Sequence, residues 1–273
     1  MTEKKLLLGA DTDYPASYSP QLLHSIPRKE GRQTLGILGA EPFFGVDLWT
    51  AYEVSWLDMR GKPVVAVAEL SIPGSTVNLV ESKSLKLYLN SLNQERYRSV
   101  EEVTRIIERD VSTCVMGTIL VGIHPGDSYR HMGLGSLPGI CLDDLPVEVD
   151  TYAPDPSLLG LADGHTIVSE SLYSHLLKTN CPVTGQPDWA SILIRYSGPA
   201  IDREGLLRYL VSFRNHQDFH EQCVERIFTE IRELCQPDTL EVYARYTRRG
   251  GLEINPYRSS VQSDPPRLRL SRQ

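Results

Sequence analysis

Apolar positions along this chain recur at two different periods, and together they mark out an order of elements that occurs twice. Val100, Val103, Ile106, Ile107 and Val111 fall three or four residues apart, the repeat of one face of a helix. Phe219, Cys223, Ile227, Ile231 and Leu234 do the same. Strand-like runs from Ala51 to Met59 and from Pro63 to Leu70 precede the first helix, and Thr118 to Ile123 follows it. Around the second helix, Ser191 to Tyr196 reads as a strand. Thr239 to Thr247 then alternates Leu240, Val242, Ala244 and Tyr246 with polar residues, as a half-buried strand should. Between the halves, His124 to Gly164 is dense in Pro, Gly and Asp, which is turn and linker composition.

The halves also share residues. Tyr88-Leu89-x-Ser91 matches Tyr209-Leu210-x-Ser212, and Val103-x-Arg105-Ile106 matches Val224-x-Arg226-Ile227 at the same offset. Gly45-x-Asp47-x-Trp49 loosely echoes Gly185-x-x-Asp188-Trp189. Two similar α+β modules explain this better than one continuous sheet, although so sparse a match can also arise by coincidence. The expected division is an N-terminal module over 1–125, a connection over 126–164 and a C-terminal module over 165–273. The tail from Pro265 to Gln273 reads as loose.

At 273 residues there is ample core for two such modules. The net charge of -7 argues against non-specific binding to nucleic acid, which needs an excess of Lys and Arg. A local basic patch could still hold an anion. No apolar run is long enough to cross a bilayer, and the start Met1-Thr2-Glu3-Lys4-Lys5 does not read as a secretory signal. The five cysteines are scattered and never form CxxC, the pattern of free thiols in a reducing cytoplasm. The histidines make no HExxH, so the expected metal content is none.

Four segments carry candidate chemistry. Cys181 lies in Asn180-Cys181-Pro182-Val183-Thr184-Gly185-Gln186-Pro187-Asp188-Trp189, on a turn available for chemistry, with Asp188 as a carboxylate that can shuttle a proton. A small loop residue beside a turn-forming Asp is the plainer reading of the same spacing. Phe213-Arg214-Asn215-His216-Gln217-Asp218-Phe219-His220-Glu221 gathers rings, histidines and acids at the start of a helix, where Glu221 could accept from a guanine-like edge. Glu81-Ser82-Lys83-Ser84-Leu85-Lys86 could hold a phosphate or ribose, or could be a helix start capped by serines. Tyr246-Thr247-Arg248-Arg249-Gly250-Gly251 lets backbone and guanidinium approach an anion together, or is a plain hairpin turn.

On these four segments, with Ile254-Asn255-Pro256, the chain resembles the NADPH-dependent 7-cyano-7-deazaguanine reductases, the nitrile reductases of queuosine biosynthesis, in their long two-module form. The resemblance spans most of the chain from about residue 20. It implies an α+β fold of tandem tunnelling-fold (T-fold) modules, each an antiparallel sheet with helices packed on one face, related in fold to GTP cyclohydrolase I but without a catalytic metal. By the same resemblance Cys181 attacks the nitrile carbon to give a thioimide, Asp188 donates the proton, and two NADPH per turnover complete the reduction to the aminomethyl group. Val80, Glu81, Ser82, His220 and Glu221 are implied to bind the deazapurine substrate, and Ser82, Lys83, Arg249 and Gly250 to bind NADPH. A cytoplasmic homodimer with no membrane or nucleic-acid partner is implied as well. A metal-dependent cyclohydrolase on the same fold and a non-catalytic purine-binding module are the competing readings.

Overall fold

The computed structural model describes residues 15, 17–129, 133–164 and 166–273. The first fourteen residues, on which the reading of a signal-free start rests, lie outside them, as do Arg130, His131 and Met132 of the expected connection and His165 at the start of the expected C-terminal module. In chain order the elements are β1 (Ser25–Pro27), α1 (Arg28–Thr34), β2 (Phe44–Leu57), β3 (Pro63–Pro73), β4 (Asn78–Val80), α2 (Ser82–Asn90), α3 (Val100–Val115) and β5 (Leu120–Pro125). They continue with β6 (Ile140–Cys141), β7 (Ile167–Ser174), β8 (Lys178–Asn180), β9 (Pro187–Pro199), α4 (Arg203–Ser212), α5 (His220–Cys235), β10 (Thr239–Tyr246) and β11 (Leu252–Ser259).

Two compact units form, and neither is one contiguous stretch. The first takes residues 1–31, 47–133 and 248–254; the second takes 32–46, 134–247 and 255–273. Each has its own core. In the first, the sheet order is β5-β3-β2, and alternate residues of β3 (Ala66, Ala68, Leu70, Ile72) share a core with Val103, Ile107 and Val111 of α3. In the second, the order is β11-β10-β9-β7-β6, with β8 added beside β9. Its strands pair antiparallel except for β6 on β7. Ile192, Ile194, Leu240 and Val242 pack there against Cys223, Val224, Ile227 and Phe228 of α5.

Both long helices stop in the same way, on a residue forced into the left-handed region: Met116 (φ 53) after α3 and Gln236 (φ 47) after α5. The shared Tyr-Leu-x-Ser segments close α2 and α4 identically. Ser91 Oγ donates to Tyr88 O and Ser212 Oγ to Tyr209 O, each at 2.6 Å, and each serine accepts from the backbone N–H of an earlier segment. Each tyrosine hydroxyl donates in turn to an acid of the next helix, Asp110 or Glu230. The caps of the short helices agree too: Glu81 accepts from the N–H groups of Lys83 and Ser84, and Asp202 from those of Glu204 and Gly205.

Several expectations need correction. Leu234 points outward, and Cys235 completes the apolar face of α5. Leu142 and Leu159, from the Pro/Gly/Asp-rich stretch, are buried in the second core, so its backbone is irregular but it is packed. The tail is not loose. Gln273 is buried, its Oε1 accepting from Arg245 Nε at 2.8 Å and its Nε2 donating to Tyr246 O and Asn255 Oδ1 at 3.1 Å. Cap geometry also removes the serine-capped reading of α2, since a carboxylate does that work.

Candidate active site

Lys178-Thr179-Asn180 is a β strand only three residues long, and it is held from both edges. On one side Thr179 pairs with Asp188 and Asn180 with Pro187 of β9. On the other, Asn180 N–H donates to His216 O (2.8 Å) and its carbonyl accepts from Asp218 N–H (3.2 Å). The turn that follows is closed by Cys181 N–H to Gln186 O and Gly185 N–H to Cys181 O, both at 2.9 Å. Gly185 adopts φ +68, which an L side chain rarely tolerates. This register sets Cys181 opposite Gln186, so Cys181 and Asp188 are diagonal neighbours on the same face of the hairpin. The seven-residue spacing noted in the sequence is the span of a tight hairpin.

That face looks inward. Cys181 is 4% and Asp188 5% exposed, so the thiol is sheltered rather than open on a loop as expected. Next on the same face is Ala190, whose partner on β10 is Tyr246. The ring of His220 stacks on that of Tyr246, centroids 3.7 Å apart and planes parallel, and its Nε2 stands 3.3 Å from Asp188 Oδ2. His220 Nδ1 is buried with no hydrogen-bond partner among the described residues. Glu221, in the first turn of α5, is also buried. The helix is capped by Phe219, which offers no side-chain acceptor to the first N–H groups. The structure therefore brings Cys181, Asp188 and His220 together from two of the predicted segments, and buries Glu221 in the same unit.

Surrounding groups grade the thiols. Burial pushes Cys223 up to about 12 and Cys235 up to about 11, which leaves both protonated and inert at neutral pH. Lys178 Nζ donates to Asn180 Oδ1 (2.7 Å) and Arg214 O (2.6 Å); burial, then the Arg214 charge, pulls its pKa down while Asp188 opposes the shift. The guanidinium of Arg214 lies over the Trp189 ring at 5.5 Å. Sequence reasoning missed Lys178 and the stacking role of Tyr246, because both depend on the register of β8 and β10 against β9.

The remaining predicted residues lie in the first unit. Val80 ends β4 and is buried. Glu81 is buried as the cap of α2, and Ser82 and Lys83 open that helix, half-buried. Arg249 and Gly250 form the turn before β11, where Arg249 N–H donates to Leu252 O (2.8 Å). The two segments expected to hold NADPH meet here: a Cβ added to Gly250 would stand 3.3 Å from Lys86 Nζ. Among the described residues no cluster of His, Cys, Asp and Glu could hold a metal ion, and no helix is long and apolar enough to cross a membrane.

The family models match three of the four segments in full and take in Asp188 of the fourth, with Cys181 between the two matched ranges. Residues 14–123 match the family model described as "Nitrile reductase, 7-cyano-7-deazaguanine-reductase N-term", and residues 187–265 match "QueF-like protein". A protein of Dechloromonas aromatica named NADPH-dependent 7-cyano-7-deazaguanine reductase is 54% identical over 93% of this chain and 89% of its own length. Proteins of the same name from Azoarcus sp. and Burkholderia orbicola are 55% and 52% identical, over 93% and 97% of this chain and 90% and 98% of theirs. With relatives this similar over nearly their whole length, the chain belongs to the NADPH-dependent 7-cyano-7-deazaguanine reductases, oxidoreductases that act on a nitrile.

Proposed function

We propose that this protein reduces the nitrile of 7-cyano-7-deazaguanine to the aminomethyl group through a thioimide on Cys181, as a cytoplasmic step of queuosine biosynthesis. The observation that carries the reading is the hairpin face on which Cys181 and Asp188 are diagonal neighbours, with His220 3.3 Å from the carboxylate. A nitrile carbon is a poor hydride acceptor. Adding a thiol across C≡N, with the S–C bond forming and the nitrogen taking a proton, gives a far better one. Asp188 gives that proton and His220 holds its carboxyl in place. The proton Asp188 gives is the one it takes from the Cys181 thiol, and the sheltered face keeps water from competing with hydride for the thioimide carbon. NADPH supplies hydride when bound, two molecules for the four electrons; Cys181 leaves as thiolate once the carbon carries its first hydride. No metal takes part in this scheme.

Glu221 accepts from the N1–H and 2-amino edge of the deazapurine, and the unpartnered Nδ1 of His220 is the second contact to it. For Val80, Glu81 and Ser82 as further substrate groups, and for Ser82, Lys83, Arg249 and Gly250 as cofactor groups, support comes from the motifs. The fit of the first unit to a dinucleotide rests on the Gly250 turn, where a Cβ would crowd Lys86. The same reading takes the two units as T-fold modules and the assembly as a homodimer.

Intact mass of the protein after adding the nitrile without NADPH tests the chemistry. The expected result is an adduct of the substrate's mass, absent in Cys181→Ala, and two NADPH oxidised per product formed. An unmodified protein together with full activity in Cys181→Ala would sink the proposal. Stoichiometric zinc with loss of activity on chelation would favour a cyclohydrolase instead.

A further inference from the structure

Arg272 and Gln273 lie behind the candidate site, and none of the four motif segments accounts for them. β11 pairs with β10 over Glu241, Val242 and Tyr243. Farther along β10, side-chain amides meet the main chain. Tyr246 N–H donates to Asn255 Oδ1 at 3.0 Å, and Tyr246 O accepts from Gln273 Nε2 at 3.1 Å. The Gln273 amide is engaged at every position. Its Nε2 also donates to Asn255 Oδ1 (3.1 Å), and its Oε1 accepts from Arg245 Nε (2.8 Å) and Leu270 N–H (3.1 Å). That uses all that a primary amide offers, and no carboxylate or hydrocarbon of similar shape could do the same. Gln273 is 6% exposed, so the loss of any of these bonds would leave a buried polar group unmet.

The neighbouring Arg272 is exposed, and its Nη2 donates to His175 O at 2.7 Å and to Ala190 O at 3.3 Å. Ala190 and Tyr246 are register partners across β9 and β10. Consecutive residues of the tail therefore grip both members of one cross-strand pair. That pair underlies the site: Ala190 follows Asp188 on the same face of β9, and Tyr246 carries the stacked ring of His220. Parallel rings 3.7 Å apart are in full face contact, so the imidazole follows the phenol ring. His220 Nε2 in turn stands 3.3 Å from Asp188 Oδ2. A shift of Tyr246 along its strand thus reaches the carboxyl through one side chain. A displacement of about 1 Å at a reacting group can lower a rate roughly 100-fold.

We propose that Gln273, assisted by Arg272, is a positioning residue for the reaction: its amide locks Tyr246 in place and so fixes His220 against Asp188. This rests on the reading of Asp188 as the proton donor to the nitrile nitrogen. It extends the machinery to a segment outside both the hairpin and α5.

The test uses the full chain, as the parent and as Gln273→Glu, Gln273→Ala and Arg272→Ala. It measures the rate of adduct formation on Cys181 without NADPH, steady-state kcat and KM across pH, and thermal midpoints. Gln273→Glu keeps the shape but turns an acceptor oxygen toward Tyr246 O and Asn255 Oδ1. It is expected to lower kcat and the adduct rate together by roughly ten- to a hundredfold, with KM for the nitrile within about threefold of the parent. Gln273→Ala should lose less, because water can enter and bridge, and Arg272→Ala only a few-fold. In all three, the limb of the kcat–pH profile that Asp188→Asn abolishes should move by about half a pH unit or more. An unmoved limb overturns the proposal whatever the loss of stability, since a merely structural clamp would leave it in place. An adduct rate in Gln273→Glu within about twofold of the parent overturns it as well, and either result leaves the nitrile reductase reading intact. Should Gln273→Glu fail to fold, Gln273→Ala and the exposed Arg272→Ala decide by the same limb. A parent that forms no adduct and reduces no nitrile overturns the reading beneath the proposal.

Discussion

The first turns of α3 and α5 each open the long helix of one unit, and they differ in how they are capped and in where their acids lie. Ser99 caps α3, accepting from Glu102 N–H, and the acids Glu101 and Glu102 lie in its first turn, with Glu101 exposed. At α5 the cap is Phe219, and the acid of the first turn, Glu221, is buried beside a histidine stacked on Tyr246. Below the first turn both helices bury a continuous apolar face, and both end on a left-handed residue. Stability fixed the shared part; the divergent turn is where a site can be built without disturbing the core.

The largest expected effect separates the cysteines. Cys181→Ala should lower NADPH-oxidation kcat by roughly 10³-fold or more with little change in thermal midpoint. Cys223→Ala, on the apolar face of α5, should do the reverse, costing about 1–2 kcal/mol in urea unfolding with kcat nearly intact. If both behave as core cysteines, the hairpin that carries Cys181 has nothing to do with catalysis.

Next comes Asp188→Asn, expected to lose about 10²–10⁴-fold in kcat in steady-state assays, with the substrate adduct on Cys181 slowed in step. A smaller effect divides the matched caps. Glu81→Ala and Asp202→Ala should each cost about 1 kcal/mol in unfolding, but only Glu81→Ala should also raise KM for the deazapurine. Identical behaviour would make Glu81 a cap and nothing more.

The smallest effect lies in the turn joining β2 and β3. There Asp58 accepts from the N–H groups of Lys62 and Arg60, and these bonds, Lys62 first, hold its carboxyl below the usual 3.8. A carboxyl depressed on folding adds stability above its unfolded pKa and loses it as pH falls through the folded one. Thermal midpoints of Asp58→Asn and the parent should therefore differ slightly at neutral pH and converge as the pH falls below the usual 3.8 and through the depressed folded value.

Periodicity made α3, α5 and β10 legible, because their buried residues are apolar and regularly spaced. It placed the start of β2 at Ala51 rather than Phe44, since Asp47 and Thr50 are buried polar residues whose partners, Arg28 and Glu253, come from elsewhere in the chain. The start of β9 was missed for a related reason: Asp188 is polar, buried and part of the site. The Cys181–Asp188 relation was readable from spacing, because a tight hairpin fixes it locally. Glu225 was not readable at all. It is clamped between Arg32 and Arg258, and three charged residues so far apart in sequence leave no local pattern.

The exchange of residues 32–46 and 248–254 between the two units has a consequence for how the gene can be cut. A fragment ending at 133 lacks residues 248–254, and with them the Gly250-Gly251 turn beside Lys86. A fragment starting at 134 lacks residues 32–46, and with them the Arg32 that helps neutralise buried Glu225. Each half therefore lacks a segment of the unit it mostly encodes, whereas trimming residues 255–273 removes part of the second unit alone. A permuted or split version works only if both borrowed segments travel with the unit that uses them.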